Sequence, residues 1–175
     1  MAKINRIGYG QVEPNHLSAQ RTAQIYAQLP ADKTLTTLEN GQFVKYNYAD
    51  NKVDLEGEGE WMLVYNEIKL YRDRQTTKDF ALKSEEAVGG EIVPRVFKTN
   101  IGDIYTTNCL EKANVSGDAL IEGTEDLSVG DVLAPSAAGF LTKAAGTDAT
   151  TMKFQIVKIY TLPDGQSAVK VMRIA

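Results

Sequence analysis

The chain has 175 residues, 43% of them hydrophobic and 24% charged, with a net charge of -4. A chain of this size buries roughly 70% of the surface that its unfolded form exposes, so it needs neither a disulfide nor a structural metal to fold. Its 23 acidic residues against 19 basic ones repel a phosphate backbone, which excludes nucleic acid as an expected ligand. No stretch approaches the ~20 apolar residues of a membrane span, and the first ten residues lack the apolar run of a signal peptide. Cys109 is the single cysteine and reads as a small buried apolar residue.

Residues 1–31 carry Lys3, Arg6 and Arg21 against Glu13, a net charge of +2, which leaves -6 for residues 32–175. From Ile4 to Asn15, glycines 8 and 10 and Pro14 interrupt isolated apolar residues, as in an extended arm. The Ala- and Gln-rich run from His16 to Leu29, with Asn15 as N-cap and Pro30 as stop, predicts one short helix. Its narrow stripe of Ile25, Tyr26 and Leu29 suits docking on a surface.

After Pro30 the pattern turns to β. Gln42–Tyr48 alternates and leads through a turn at Ala49–Lys52 into Val53–Leu55, a hairpin. Trp61–Tyr71 puts Met62 and Val64 on one face and Leu63 and Tyr65 on the other, so its first half is covered on both sides and it is the expected central strand. A short helical turn is expected around Phe80–Val88, then strands at Ile92–Phe97 and Asp103–Leu110, with Pro94 placing the first of these at a sheet edge. Two more hairpins follow, Gly130–Ala134 with Gly139–Lys143 and Lys153–Tyr160 with Ser167–Ile174. The fold class is therefore mainly β: a small antiparallel β-barrel or sandwich, with an N-terminal extended arm and one short helix. The arm and helix occupy 1–31 and the β domain 32–175, as one unit or as two subdomains at about 32–92 and 93–175.

A frame of Leu, two residues, Gly, a polar residue and two apolar residues occurs at Leu38–Val44 and again at Leu127–Leu133. Gly41 precedes Met62 by 21 residues and Gly130 precedes Met152 by 22, and Gly102-Asp-Ile-Tyr105 partly repeats the motif. Either the β unit is duplicated, or Gly followed by a polar residue is simply a common way into a strand.

Sites of chemistry are scarce. Asp54, Glu56, Glu58 and Glu60 stand at period two but lack the spacing of a calcium loop, and like charges on one strand face repel, so a solvated loop is expected. The cluster Glu122, Glu125, Asp126 and Asp131 is weaker still, and either cluster could meet a basic partner. His16 is the only histidine, the serines lie in no nucleophile frame, and neither Gly8-Tyr-Gly10 nor Gly57-Glu-Gly59 opens a helix after a strand. Lys143 ends a strand instead of standing at a hairpin tip, unlike the lysine of a lipoyl or biotinyl carrier. No catalytic, cofactor or metal residue is expected. The candidate partner contacts are Ile4, Arg6, Ile7, Tyr9, Val12, Arg21, Ile25 and Tyr26 of the arm and helix, unless the arm folds back on its own domain.

Gly130-Asp-Val-Leu-Ala, Gly139-Phe-Leu-Thr-Lys-Ala, Phe154-Gln-Ile-Val-Lys-Ile and Ala168-Val-Lys-Val-Met-Arg-Ile together resemble the small β-domains of tailed-bacteriophage head decoration, or capsid cement, proteins. The resemblance covers residues 127–175, with the Gly41 region echoing it. It implies a non-enzymatic virion protein on the capsid exterior, soluble in the host cytoplasm before assembly. Its implied partner is the major capsid protein, whose subunits it bridges, with homo-oligomers at capsid symmetry axes and no membrane or nucleic-acid contact. The alternative is a β-barrel binding module of the virion, a receptor- or glycan-binding head component or a tail or neck adaptor. Trp61, Tyr46, Tyr48 and Tyr65 discriminate: gathered in one open groove they favour glycan binding, and buried they favour a scaffold.

Overall fold

The computed structural model describes residues 9–16, 25–66, 71–72, 75–76, 81–111, 127–143, 152–161 and 166–175. Its strands are β1 (Val12–His16), β2 (Ile25–Gln28), β3 (Thr37–Glu39), β4 (Phe43–Asn47), β5 (Lys52–Asp54), β6 (Met62–Val64), β7 (Tyr71–Arg72), β8 (Gln75–Thr76), β9 (Ala81–Lys83), β10 (Arg95–Phe97), β11 (Ile104–Thr107), β12 (Val132–Pro135), β13 (Leu141–Lys143), β14 (Phe154–Thr161) and β15 (Ser167–Arg173). They form a five-stranded sheet in the order β2-β10-β6-β4-β5, a six-stranded sheet in the order β1-β11-β15-β14-β12-β13, and the small pairs β3-β9 and β7-β8.

Without its outer strand β1, the six-stranded sheet has the same topology as the five-stranded one. In chain order β2, β4, β5, β6 and β10 take the places of β11, β12, β13, β14 and β15, and all neighbours within each sheet are antiparallel. Each sheet then curls until its last strand meets the segment just beyond its first. Val53 bridges Ala31 in parallel, and Leu141 bridges Leu110 in parallel. Even the hydrogen bonds correspond: Val53 donates to Pro30 and receives from Asp32, as Leu141 donates to Cys109 and receives from Glu111. The result is two small barrels of one design, Ile25–Phe97 and Ile104–Arg173.

The three glycine frames of the sequence are one repeated structure. In Glu39–Gln42, Asn100–Asp103 and Ser128–Asp131 the fourth residue's N–H donates to the first residue's carbonyl at 3.2, 3.0 and 3.1 Å. The fourth side chain accepts from the first residue's N–H at 3.1, 2.8 and 2.9 Å. Gly41, Gly102 and Gly130 hold φ of 92, 92 and 97°, the left-handed value that the third position of a type II turn demands. Each glycine N–H then donates to a strand carbonyl, of Val64, Arg173 and Ile156, and that residue's N–H returns a bond to the fourth residue's carbonyl. The turns at Gly41 and Gly130 occupy matching places in the two barrels. The matching strand residues are Met62 and Phe154, opposite Val44 and Leu133, so the second spacing runs to Phe154 and not to Met152.

Two cores result. The first barrel closes over Ala31, Leu38, Val44, Val53, Met62, Val64 and Val96. The second closes over the matching positions, Leu110, Leu127, Leu133, Leu141, Phe154, Ile156 and Val171. Phe43 and Leu63, which point out of the first barrel, are fully buried in the second core, with the Phe43 and Phe154 rings 5.5 Å apart. Thus β6, Met62–Val64, is covered on both sides as expected, and the outer wall of one barrel serves as lining for the other.

Several expectations change. The helix over 16–29 is replaced at its described C-terminal part by β2, which pairs with β10 and so gives Ile25 and Tyr26, residues that favour a pleated ladder, a sheet to join. Residues 17–24 lie outside the described part. The described strands within 1–31 join the sheets of the body: β1 pairs with β11, and β2 pairs with β10. Pro94 does not mark an edge, because β10 starts one residue later and has a neighbour on each side, so the missing N–H costs the ladder nothing. The short helical turn expected around Phe80–Val88 is present as a 3-10 turn at Ser84–Glu86, with a second at Val88–Gly90, but a strand, Ala81–Lys83, occupies the start of that stretch. The three hairpins stand where expected, as β4-β5, β12-β13 and β14-β15.

Candidate functional site

Asp54, Glu60 and Asp131, from the two acidic clusters, are engaged in structure. Asp54 accepts the backbone N–H groups of Glu56 and Gly57 on one oxygen and the Asn47 amide on the other, which folds the acidic stretch into a loop. Glu60 pairs with Arg173 at 2.7 Å. Asp131 accepts from the Ser128 backbone and pairs with Lys143 at 3.0 Å. Those contacts, the Ser128 N–H first, hold the Asp131 carboxyl below its ordinary range. Lys143 therefore lies along β13 in an ion pair, not at a tip. Glu122, Glu125 and Asp126 lie outside the described residues. Among the described residues no three of His, Cys, Asp and Glu gather as metal ligands.

Cys109 is fully buried, as its composition suggested. Burial also raises the Tyr105 phenol well above its ordinary range, and its hydroxyl is a polar end inside the second core.

Of the arm and helix residues expected to contact a partner, Ile4, Arg6, Ile7 and Arg21 lie outside the described residues. Tyr9 is half-buried beneath the Lys83 ammonium, 5.0 Å from its ring centroid. Val12 is 5% exposed and belongs to the second core, so it lines the chain's own interior. Ile25 and Tyr26 are in β2, their backbone placed beside β10. The described part of the arm thus folds back on its own domain. Gly10 N–H donates to the buried Glu39 carboxylate at 2.7 Å, and Gln11 N–H to Asn108 Oδ1 at 2.7 Å.

The four discriminating aromatics are divided. Trp61 and Tyr65 pack on the second core, with Lys45 over the Trp61 ring at 4.6 Å. Tyr46 packs on the first core, and Tyr48 stands edge-on to it and 53% exposed. They do not line one groove.

The surface feature that sequence reasoning missed is the outer wall of the second barrel. Val129, at the second position of its glycine turn, is 64% exposed, and Val157, at the bulge of β14 beside it, is 36% exposed. Ile101 holds the same position in the Gly102 turn and is 72% exposed, next to Ile174 at 36% across the docked strand. Asn40, the counterpart of Val129 and Ile101, is buried and hydrogen-bonded to Asn66. The signal was present in the sequence as a polar residue at one of three matching positions and branched aliphatics at the other two.

No protein-family model matches the chain, and neither the curated proteins nor the solved structures yield a match.

Proposed function

We propose that this protein is a non-enzymatic virion structural protein of the head-decoration type, binding the outer surface of a phage capsid and bridging major capsid protein subunits. The observation that carries this reading is that Trp61 and Tyr65 pack half-buried on one core and Tyr46 on the other, with the exposed Tyr48 against Tyr46, so the four rings form no single groove, which speaks against the carbohydrate alternative. The decoration-like segments also coincide with one structural unit, because residues 127–175 supply four of the five strands of the second barrel. A body with exposed aliphatics at its turns suits a role in which many weak contacts act through multiplicity.

The test is the copy number of this polypeptide in purified particles from its source, by quantitative mass spectrometry against the most abundant shell protein. Hundreds of copies in a simple ratio to the shell are expected. A dozen or fewer would reassign the chain to a neck, tail or receptor-binding part, and absence from particles would reject a virion role.

A further inference from the structure

The two barrels share one design but meet through different surfaces, so each keeps a face whose counterpart is already engaged within the chain. The wall of the first barrel at Gly41–Phe43 receives the second barrel. Phe43 N–H donates to the Gly139 carbonyl at 2.7 Å and Gln42 Nε2 to the Ala138 carbonyl at 3.0 Å, both at the β12-β13 tip. A Cβ at Gly41 would stand 2.7 Å from Thr107 Oγ1 and from Cys109 Cβ. The matching wall of the second barrel, Gly130–Val132 with Gln155 and Met172, is at least partly exposed throughout, and a Cβ at Gly130 would meet nothing within 4 Å.

The complementary surface is equally repeated. Asn51 occupies the place of Gly139, two residues before the bridged Val53 as Gly139 is before Leu141, and both have positive φ, 53 and 77°. Gly139 is buried against the first barrel, whereas Tyr48, Ala49, Asp50 and Asn51 at the β4-β5 tip are exposed. Pro30, the counterpart of Cys109, is half-exposed, while Cys109 is fully buried. The tip carries Asp50 close to Lys52 in sequence, and the wall carries Asp131, paired with Lys143, between the bordering Lys153 and Lys158.

We propose that the wall of the second barrel, centred on Val129, Val132 and Val157, is a docking face for the first barrel of a second copy of this chain, which presents its Tyr48–Asn51 tip. The contact repeats between molecules the joint already made within one. It is heterologous, so copies associate head to tail and generate a ring or an open string, depending on whether the rotation closes. The inference does not rest on the capsid reading. It concerns the purified chain alone, so its failure leaves the copy-number test untouched, and the reverse also holds.

The experiment is sedimentation velocity on the full chain over a wide concentration range, with two surface variants. Val129→Glu with Val157→Glu alters the wall, and Ala49→Lys with Asp50→Lys alters the tip. The expected result is association of the wild type that grows with concentration, and loss of every associated species in each variant alone. An equimolar mixture of the two variants should then form a dimer and stop there, because one intact wall meets one intact tip; that dimer also shows that both variants are folded. A wild type that stays monomeric throughout, association that survives either variant, or a mixture that forms no dimer would overturn the proposal, as would a symmetric dimer joined wall to wall.

Discussion

Gly41, Gly102 and Gly130 do the same backbone work in different surroundings, which separates conformational strain from crowding. At φ near +92 to +97° a side chain is strained wherever it stands. Around Gly102 and Gly130 there is open space, whereas Gly41 lies against Thr107, Cys109 and Val12. Gly102→Ala and Gly130→Ala are each expected to lower the unfolding free energy by about 1 kcal/mol, the cost of strain alone. Gly41→Ala should cost clearly more, since the second barrel must also move aside. Urea denaturation of the three variants checks this, and equal losses would show that the joint yields freely. The turn frame itself was legible in the sequence, because Gly followed by a polar residue recurs, with Leu three residues ahead of the Gly in two of the three turns. Which of the three turns is covered was not, since burial of Gly41 is decided by residues 107–109, far along the chain.

Among the elements, hairpins were the most legible, because alternation and turn residues are local signals. The Ile25–Gln28 segment was not: Ala and Gln favour a helix in isolation, and the strand exists because β10 offers it a ladder. The alternation around β6 showed that both faces are covered, but not that they face two separate cores. That arrangement makes matching positions unequal. Phe43→Ala removes a ring shared with Phe154 and is expected to cost about 3–5 kcal/mol. Val132→Ala, at the matching place on the half-exposed wall, should stay within about 1 kcal/mol. Thermal or urea unfolding of the pair measures the difference, and a mild Phe43→Ala would mean that the barrels do not depend on each other's surface.

For the whole molecule, the shared core predicts that two barrels unfold as one. Val12, Phe43 and Leu63 sit among residues of the second barrel, and Arg173 reaches across to Glu60 and to the Thr99 carbonyl. Trp61 fluorescence and far-ultraviolet circular dichroism should therefore report coincident urea transitions. Two separated transitions would show that each barrel stands alone. Repetition of the β unit was hinted at by short frames in the sequence and is visible in the structure as strand order, parallel bridges and turn geometry, which sequence spacing could not supply because the intervening loops differ in length. The place of β1 has a consequence for biosynthesis. Gln11, the residue just before β1, bonds to Asn108, 97 residues further on. At about 5–20 residues per second, a ribosome takes roughly 5–20 s to deliver that partner. Until then β1 has no ladder to join, so the earliest strand to be synthesised is among the last to be seated.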